Sequence, residues 1–153
     1  MTGDPQGTMF HFSLQNVLEV RERFEKIKYK EYSAELLVQQ GLEEQFQGHL
    51  GALGNASTAI DRTKQVTRSA LPMQLFNQYR HRLKAEIRLL EQQLREQSEV
   101  VEEKRKELVE ARRSHKALEI LREKEFKRYQ KALERRERAV MDEIASNYHL
   151  YHQ

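Results

Sequence analysis

The chain has 153 residues, with 27 Lys and Arg against 24 Asp and Glu, no Cys, no Trp, six Gly and two Pro, and only 38% of it is apolar. One residue in three is charged and the signs nearly balance, so the chain lacks both the apolar surplus of a compact core and the single-sign excess of a disordered tail. With no thiol, a disulfide scaffold, a cysteine zinc site and a cysteine nucleophile are excluded, and with no long apolar run and no signal-peptide pattern in Met1–Thr8 the reading is a soluble chain without membrane insertion.

Ala, Glu, Lys, Leu, Arg and Gln dominate, and these residues lose least on entering a helix. Residues 1–12, with Pro5 among Gly, Asp and Thr, read as a flexible N-terminal tail; Met9 is a second plausible start, and residues 1–8 are expected to carry no function. Residues 13–153 read as a single coiled-coil hairpin. Ser13 is a good N-cap, and Val17, Val20, Phe24, Ile27, Glu31, Ala34, Val38 and Gly41 then recur at three- and four-residue steps, which predicts a seam on a first helix over about 13–70. Beyond Val38 the seam shifts to Leu42, Phe46, His49 or Leu50, Leu53 and Ile60, an offset that unwinds a supercoil locally. Gly41, Gly48, Gly51 and Gly54 crowd this stretch. At roughly 1 kcal/mol each relative to Ala, they mark either its most deformable part or a place where another backbone approaches closely.

Leu71-Pro72 predicts a turn at about 67–73, because a residue before proline is pushed out of the helical region while Pro suits the first turn of a new helix. A second helix over about 73–151 follows. Its seam is Leu83, Ile87, Leu90, Leu94, Gln97, Val101, Lys104, Leu108, Ala111, His115 and Leu118, resuming at Tyr129 and Leu133. The fold class is therefore all-α, a long antiparallel two-helix coiled-coil hairpin whose second arm outruns the first by about 20 residues, judged from the helix spans. Residues 1–76 hold eight basic and nine acidic residues and residues 77–153 hold 19 and 15, and no Lys or Arg lies between Glu31 and Asp61. The acidic glycine-rich stretch should thus face the more basic early part of the second arm.

No phosphate loop, nucleophile elbow or His-Glu-x-x-His is present, so the chain reads as no enzyme, with no cofactor. His149 and His152 lack a third ligand and read as surface histidines, so no metal is expected. Basic clusters such as Lys104-Arg105-Lys106 and Arg135-Arg136-Glu137-Arg138 are interleaved with Glu at helical spacing. That pairing argues for no nucleic acid. Tyr79, Leu83, Ile87 and Leu90 run down one side of the second helix. They are either seam residues near the turn or a docking patch.

The segment Phe10-His11-Phe12-Ser13-Leu14-Gln15-Asn16-Val17-Leu18-Glu19-Val20-Arg21 is similar to the opening of the flagellar export FliJ family, and Lys131-Ala132-Leu133-Glu134-Arg135-Arg136 with Asp142-Glu143-Ile144-Ala145 resembles that family's C-terminal end. The likeness covers residues 10–149. It implies a cytoplasmic component of the flagellar type III export apparatus, peripheral at the cytoplasmic face of the cell membrane. Such stalk-like coiled coils associate with the hexameric export ATPase (FliI-like), promote its ring assembly, contact the cytoplasmic domain of the export gate (FlhA-like) and cycle export chaperones. The family's gate-contacting pattern falls on Tyr79, Leu83 and Ile87, with Leu90 next, while a second, degenerate patch falls on Leu42 and Phe46. The departures are Tyr79 for a Phe, Glu86 for a small residue and Leu90 where a His can occur. A generic coiled-coil scaffold or tether, a nucleic-acid-associated rod and the equivalent stalk of a virulence-type injectisome are the alternatives.

Overall fold

A computed structural model describes the backbone of residues 9–66 and 70–151 and the side chains of all of these except 149–151. Two α-helices make up the fold, α1 (Gln15–Val66, 52 residues) and α2 (Ala70–Tyr151, 82 residues), packed against each other in a hairpin. Residues 1–8 of the expected tail, residues 67–69 of the expected turn and His152 lie outside the described residues, as does the side chain of His149.

Local chemistry explains where the helices begin. Phe12 is buried and its carbonyl accepts from the Gln15 amide at 3.1 Å, and the Leu14 carbonyl then accepts the first helical bond, from Leu18, at 2.9 Å. The turn Phe12–Gln15 thus feeds α1, and Leu14 rather than Ser13 stands at the capping position. Pro72 falls in the first turn of α2, where its missing N–H deprives no carbonyl of a partner.

The chain divides into two compact units, Met1–Lys26 with Glu110–Gln153, and Ile27–Val109. In the second, Ala56 and Ile60 of α1 and Leu83, Ile87, Leu90 and Leu108 of α2 are buried. Pairings such as Lys28 with Glu107, Glu35 with Gln97 and His49 with Glu86 show the antiparallel course, one number rising as the other falls. In the first unit, Phe12, Leu18 and Ala111 are buried. Phe10 meets Phe126 edge-on at 5.2 Å between centroids and Tyr129 at 5.7 Å. Every described side chain from 130 to 148 is exposed.

On α2 the predicted seam is the observed one from Leu83 to Leu118, all of whose heptad positions are buried or half-buried, whereas Leu133, where it is expected to resume, is exposed. On α1 the first half of the predicted seam is overturned. Val17 is 43%, Val20 61% and Ile27 52% exposed, and Phe24, Ala34 and Val38 are exposed as well. The side chains that turn inward are Leu18, Glu22, Glu25, Lys28, Glu31, Glu35 and Gln39, leading at heptad-like steps to Leu42, Phe46 and His49. From Leu42 onward prediction and structure coincide. The expected four-residue offset disappears with the misplaced stripe.

The inward acids are held by α2. Lys28 Nζ donates to Glu107 at 2.7 Å and to Glu31 at 3.0 Å, and Lys104 Nζ donates to Glu31 at 3.1 Å and to Glu107 at 3.3 Å. Gln97 Nε2 donates to the Glu35 carboxylate at 2.7 Å and to its backbone carbonyl at 3.1 Å. In the first unit, Glu25 takes Arg112 at 3.2 Å and His115 at 2.7 Å. Polar layers of this kind fix register more than they add stability.

The four glycines also read differently in three dimensions. A Cβ built at Gly41, Gly48, Gly51 or Gly54 would meet nothing within 4 Å, and none has a positive φ. Among the described residues no backbone approaches them, so the close-approach alternative fails there.

Candidate functional site

The patch singled out in the sequence lies in the unit Ile27–Val109, and the structure divides it. Leu83, Ile87 and Leu90 are buried in the seam, with Leu83 4% exposed, whereas Tyr79, one turn earlier, is 49% exposed. Leu42 and Phe46 are half-buried on the α1 side of the same seam. Periodicity alone gives the four α2 residues one face; packing makes Tyr79 their accessible member.

Tyr79 and Leu83 line an open groove with Arg82 and Glu86 of α2 and Gln45, Gly48, His49 and Ala52 of α1. Ile87, Leu90, Leu42 and Phe46 are not on its wall. Small residues at 48 and 52 lower the α1 side, so the groove has an apolar floor, an aromatic lip and a polar edge. That edge is cross-linked: His49 Nε2 lies 3.2 Å from the Glu86 carboxylate, which also accepts from Arg82 Nε at 3.0 Å, and His49 Nδ1 lies 2.7 Å from the Gln45 carbonyl. Both ring nitrogens therefore face acceptors. Glu86, a departure from the family pattern, is thus the anchor of the groove's edge. Towards the start of α2, Arg80 carries a buried Nε without an acceptor among the described residues.

Sequence reasoning missed the polar members. Gln45, His49 and Arg82 reach the groove only because α1 and α2 meet in this register, although His49 was visible as an ambiguous seam position. Chemically the groove can bind, by apolar contact and hydrogen bonding, but it is open and contains no nucleophile activated by a base. Among the described residues no group of three or more His, Cys, Asp or Glu is placed to hold a metal ion. No helix among them is long and apolar enough to cross a membrane.

A second exposed feature is the C-terminal end of α2, with Leu133, Val140, Met141 and Ile144 exposed among Arg135, Arg136, Glu137 and Arg138. Several basic residues of α2 are paired along the helix, as Arg105 with Glu102 at 2.8 Å, Lys116 with Glu119 at 2.9 Å and Lys127 with Glu123 at 2.9 Å.

With hairpin, groove and exposed helix end in place, comparison with known families is decisive. The family described as flagellar FliJ protein matches residues 10–153. The chain belongs to the FliJ family. Membership implies a non-catalytic component of the flagellar export apparatus. No curated protein and no solved structure matches the chain.

Proposed function

We propose that this FliJ-family chain works as the stalk of the flagellar type III export apparatus, in the cytoplasm and peripheral at the cytoplasmic face of the membrane. It associates through the C-terminal end of α2 with the hexameric export ATPase, promotes ring assembly, and contacts the cytoplasmic domain of the export gate and substrate chaperones. The observation that carries this reading is the C-terminal end of α2: from 130 to 148 every described side chain is exposed, and Leu133, Val140, Met141 and Ile144 recur along it. A helix carrying Leu133, Val140 and Ile144 into solvent is suited to insertion among other subunits.

The gate contact is assigned to the Tyr79 groove. Tyr79 offers exposed aromatic area beside an apolar floor, the composition that dominates binding at interfaces. Leu83, Ile87 and Leu90 hold that floor in place, and Leu42 and Phe46 back it from α1.

A pull-down with the export ATPase and the cytoplasmic domain of the gate tests both assignments. Removal of residues 131–153 is expected to abolish stimulation of the ATPase, and unchanged hexamer formation with the truncated chain would defeat the stalk assignment. Tyr79→Ala is expected to weaken gate binding with helicity intact; gate binding equal to wild type removes the groove from the mechanism.

A further inference from the structure

We propose that the closed end of the hairpin seats against an anionic lipid surface, with Val66, Leu71 and Leu75 entering the boundary between headgroups and acyl chains and the basic residues around them meeting the lipid phosphates. All of these residues lie in the unit Ile27–Val109. Val66 is the last residue of α1 and is 85% exposed, and Leu71 and Leu75, in the first two turns of α2, are 66% and 60% exposed. Deeper in the same unit the two helices bury Ala56, Ile60, Leu83 and Ile87. Large apolar side chains are thus gathered in solvent where α1 gives way to α2, beyond the packed seam.

Charge identifies the occupant. The sequence has no Asp or Glu between Asp61 and Glu86, an interval that contains Arg62, Lys64, Arg82 and Lys84. All four are exposed. At its borders Asp61 takes Lys64 at 3.8 Å and Glu86 takes Arg82 at 3.0 Å, solvent-exposed pairs that leave the end cationic. The preceding stretch of α1 has the opposite character, with no Lys or Arg between Glu31 and Asp61, so along this part of α1 positive charge begins only at the end that carries Val66. An acidic partner helix needs a seam that continues for several heptads, whereas the exposed apolar line ends at Tyr79 and is followed by Arg82 and Glu86. A nucleic acid would meet the cations but leave Val66, Leu71 and Leu75 in water. An anionic bilayer uses both features, burying the apolar area at its boundary and gaining about fivefold in affinity from each basic residue held near it. Three apolar side chains make a shallow, reversible contact, and no helix among the described residues crosses the bilayer. The contact does not depend on the ATPase and gate assignments.

The test is sedimentation of the full chain with vesicles of phosphatidylcholine, alone or mixed with phosphatidylglycerol, so neither the ATPase nor the gate enters it. Binding to the mixed vesicles is expected to exceed binding to phosphatidylcholine at least about tenfold and to weaken with added salt. The double variant Leu71→Gln/Leu75→Gln should lower it about tenfold with circular dichroism unchanged, since both side chains are exposed. Arg62→Gln/Lys84→Gln should lower it by at least about tenfold as well. The chain has no Trp, so Leu75→Trp supplies a single reporter, whose emission should shift to the blue on mixed vesicles and be quenched by brominated acyl chains. Absence of binding to the mixed vesicles overturns the proposal. So does binding that survives Leu71→Gln/Leu75→Gln while the Leu75→Trp emission stays unchanged, which would mean adsorption through another basic segment. Capture of a Glu-edged leucine-seam peptide without binding to the mixed vesicles would assign this end to an acidic protein surface and overturn it equally.

Discussion

The two halves of α1 use the same heptad geometry for opposite ends. From Leu42 to Ile60 the inward positions are mainly apolar or small, Leu42, Phe46, Leu53, Ala56 and Ile60, and the hydrophobic stripe coincides with the seam. From Leu18 to Glu35 the inward positions are mostly charged and the hydrophobic stripe points away from α2. Burial in a two-helix hairpin therefore follows the partner's register and not the most apolar line on a helix. α2 presents Lys104, Glu107, Arg112 and His115 to this part of α1, and the groups that match them are Glu31, Lys28 and Glu25. Hydrogen bonds and charge pairing recover part of what apolar contact would have given.

The comparison breaks most readily at Leu83. Removing a side chain buried to 4% exposure should cost about 2–5 kcal/mol, read as a shift in the urea midpoint by circular dichroism. A combined Tyr79→Ala and Leu83→Ala change would therefore confuse binding with unfolding, and Tyr79→Ala alone is the clean probe of the groove. A Leu83→Ala variant as stable as wild type would mean that the apolar half is not packed as described.

Acidity should separate the halves next. Hydrogen bonds from Lys28 and Lys104 hold the Glu31 carboxyl below its ordinary value, and Lys28 and then Lys104 do the same for Glu107. Glu107 and Glu31 raise Lys28, and Glu31 and Glu107 raise Lys104. A carboxyl with a depressed folded value contributes stability that is complete above the unfolded value of 4.5 and is lost as pH falls through the folded one. A lysine with a raised value contributes fully below 10.5 and loses the contribution as pH rises through the folded value. Thermal midpoints should thus be level between these limits with respect to this layer and fall on either side. Glu31→Gln with Glu107→Gln should flatten the acid limb, and an unchanged limb would show that the layer does not titrate with folding.

These contrasts also define what the sequence could disclose. The seam of α2 was legible from Leu83 to Leu118 because one apolar stripe dominates it, whereas Leu71, expected to leave the helix before Pro72, is helical in an α2 that already begins at Ala70. On α1, two stripes of equal period compete between residues 17 and 31, and composition favours the wrong one. The required jump at Leu42 was the visible sign of the error, since a seam traced back from Leu42 through Gln39, Glu35 and Lys28 needs no jump. At the candidate site, Tyr79 could be placed from its spacing, but its exposure, the burial of Leu83 and the arrival of His49 beside Glu86 depend on how two distant segments meet.

A smaller effect probes the apolar half without touching its core. Gly41→Ala, Gly51→Ala and Gly54→Ala each add a methyl group into open space on a helical backbone, and each should stabilise by about 0.5–1 kcal/mol. If bending of this stretch serves the stalk, the triple variant should melt higher and export less, measured as swimming and secretion in cells; a variant that melts higher and exports normally removes deformability as the reason for the glycines.

The smallest effect is the most discriminating. Val17→Ala with Val20→Ala removes apolar side chains from what the sequence presents as a seam, yet both are exposed on the outer face of α1. In the free chain the pair should change stability by no more than about 0.5 kcal/mol, several-fold less than Leu83→Ala, because surface truncation leaves no cavity. A loss comparable with Leu83→Ala would place this stripe against the hairpin's own packing after all, and the polar layers of Glu25, Lys28 and Glu31 would have to be redrawn as an outer face. A near-zero cost gives the opposite result. The polar layers are then the contact that α1 makes with α2 here, and the most apolar line on a helix is a poor guide to burial where the partner helix presents charge.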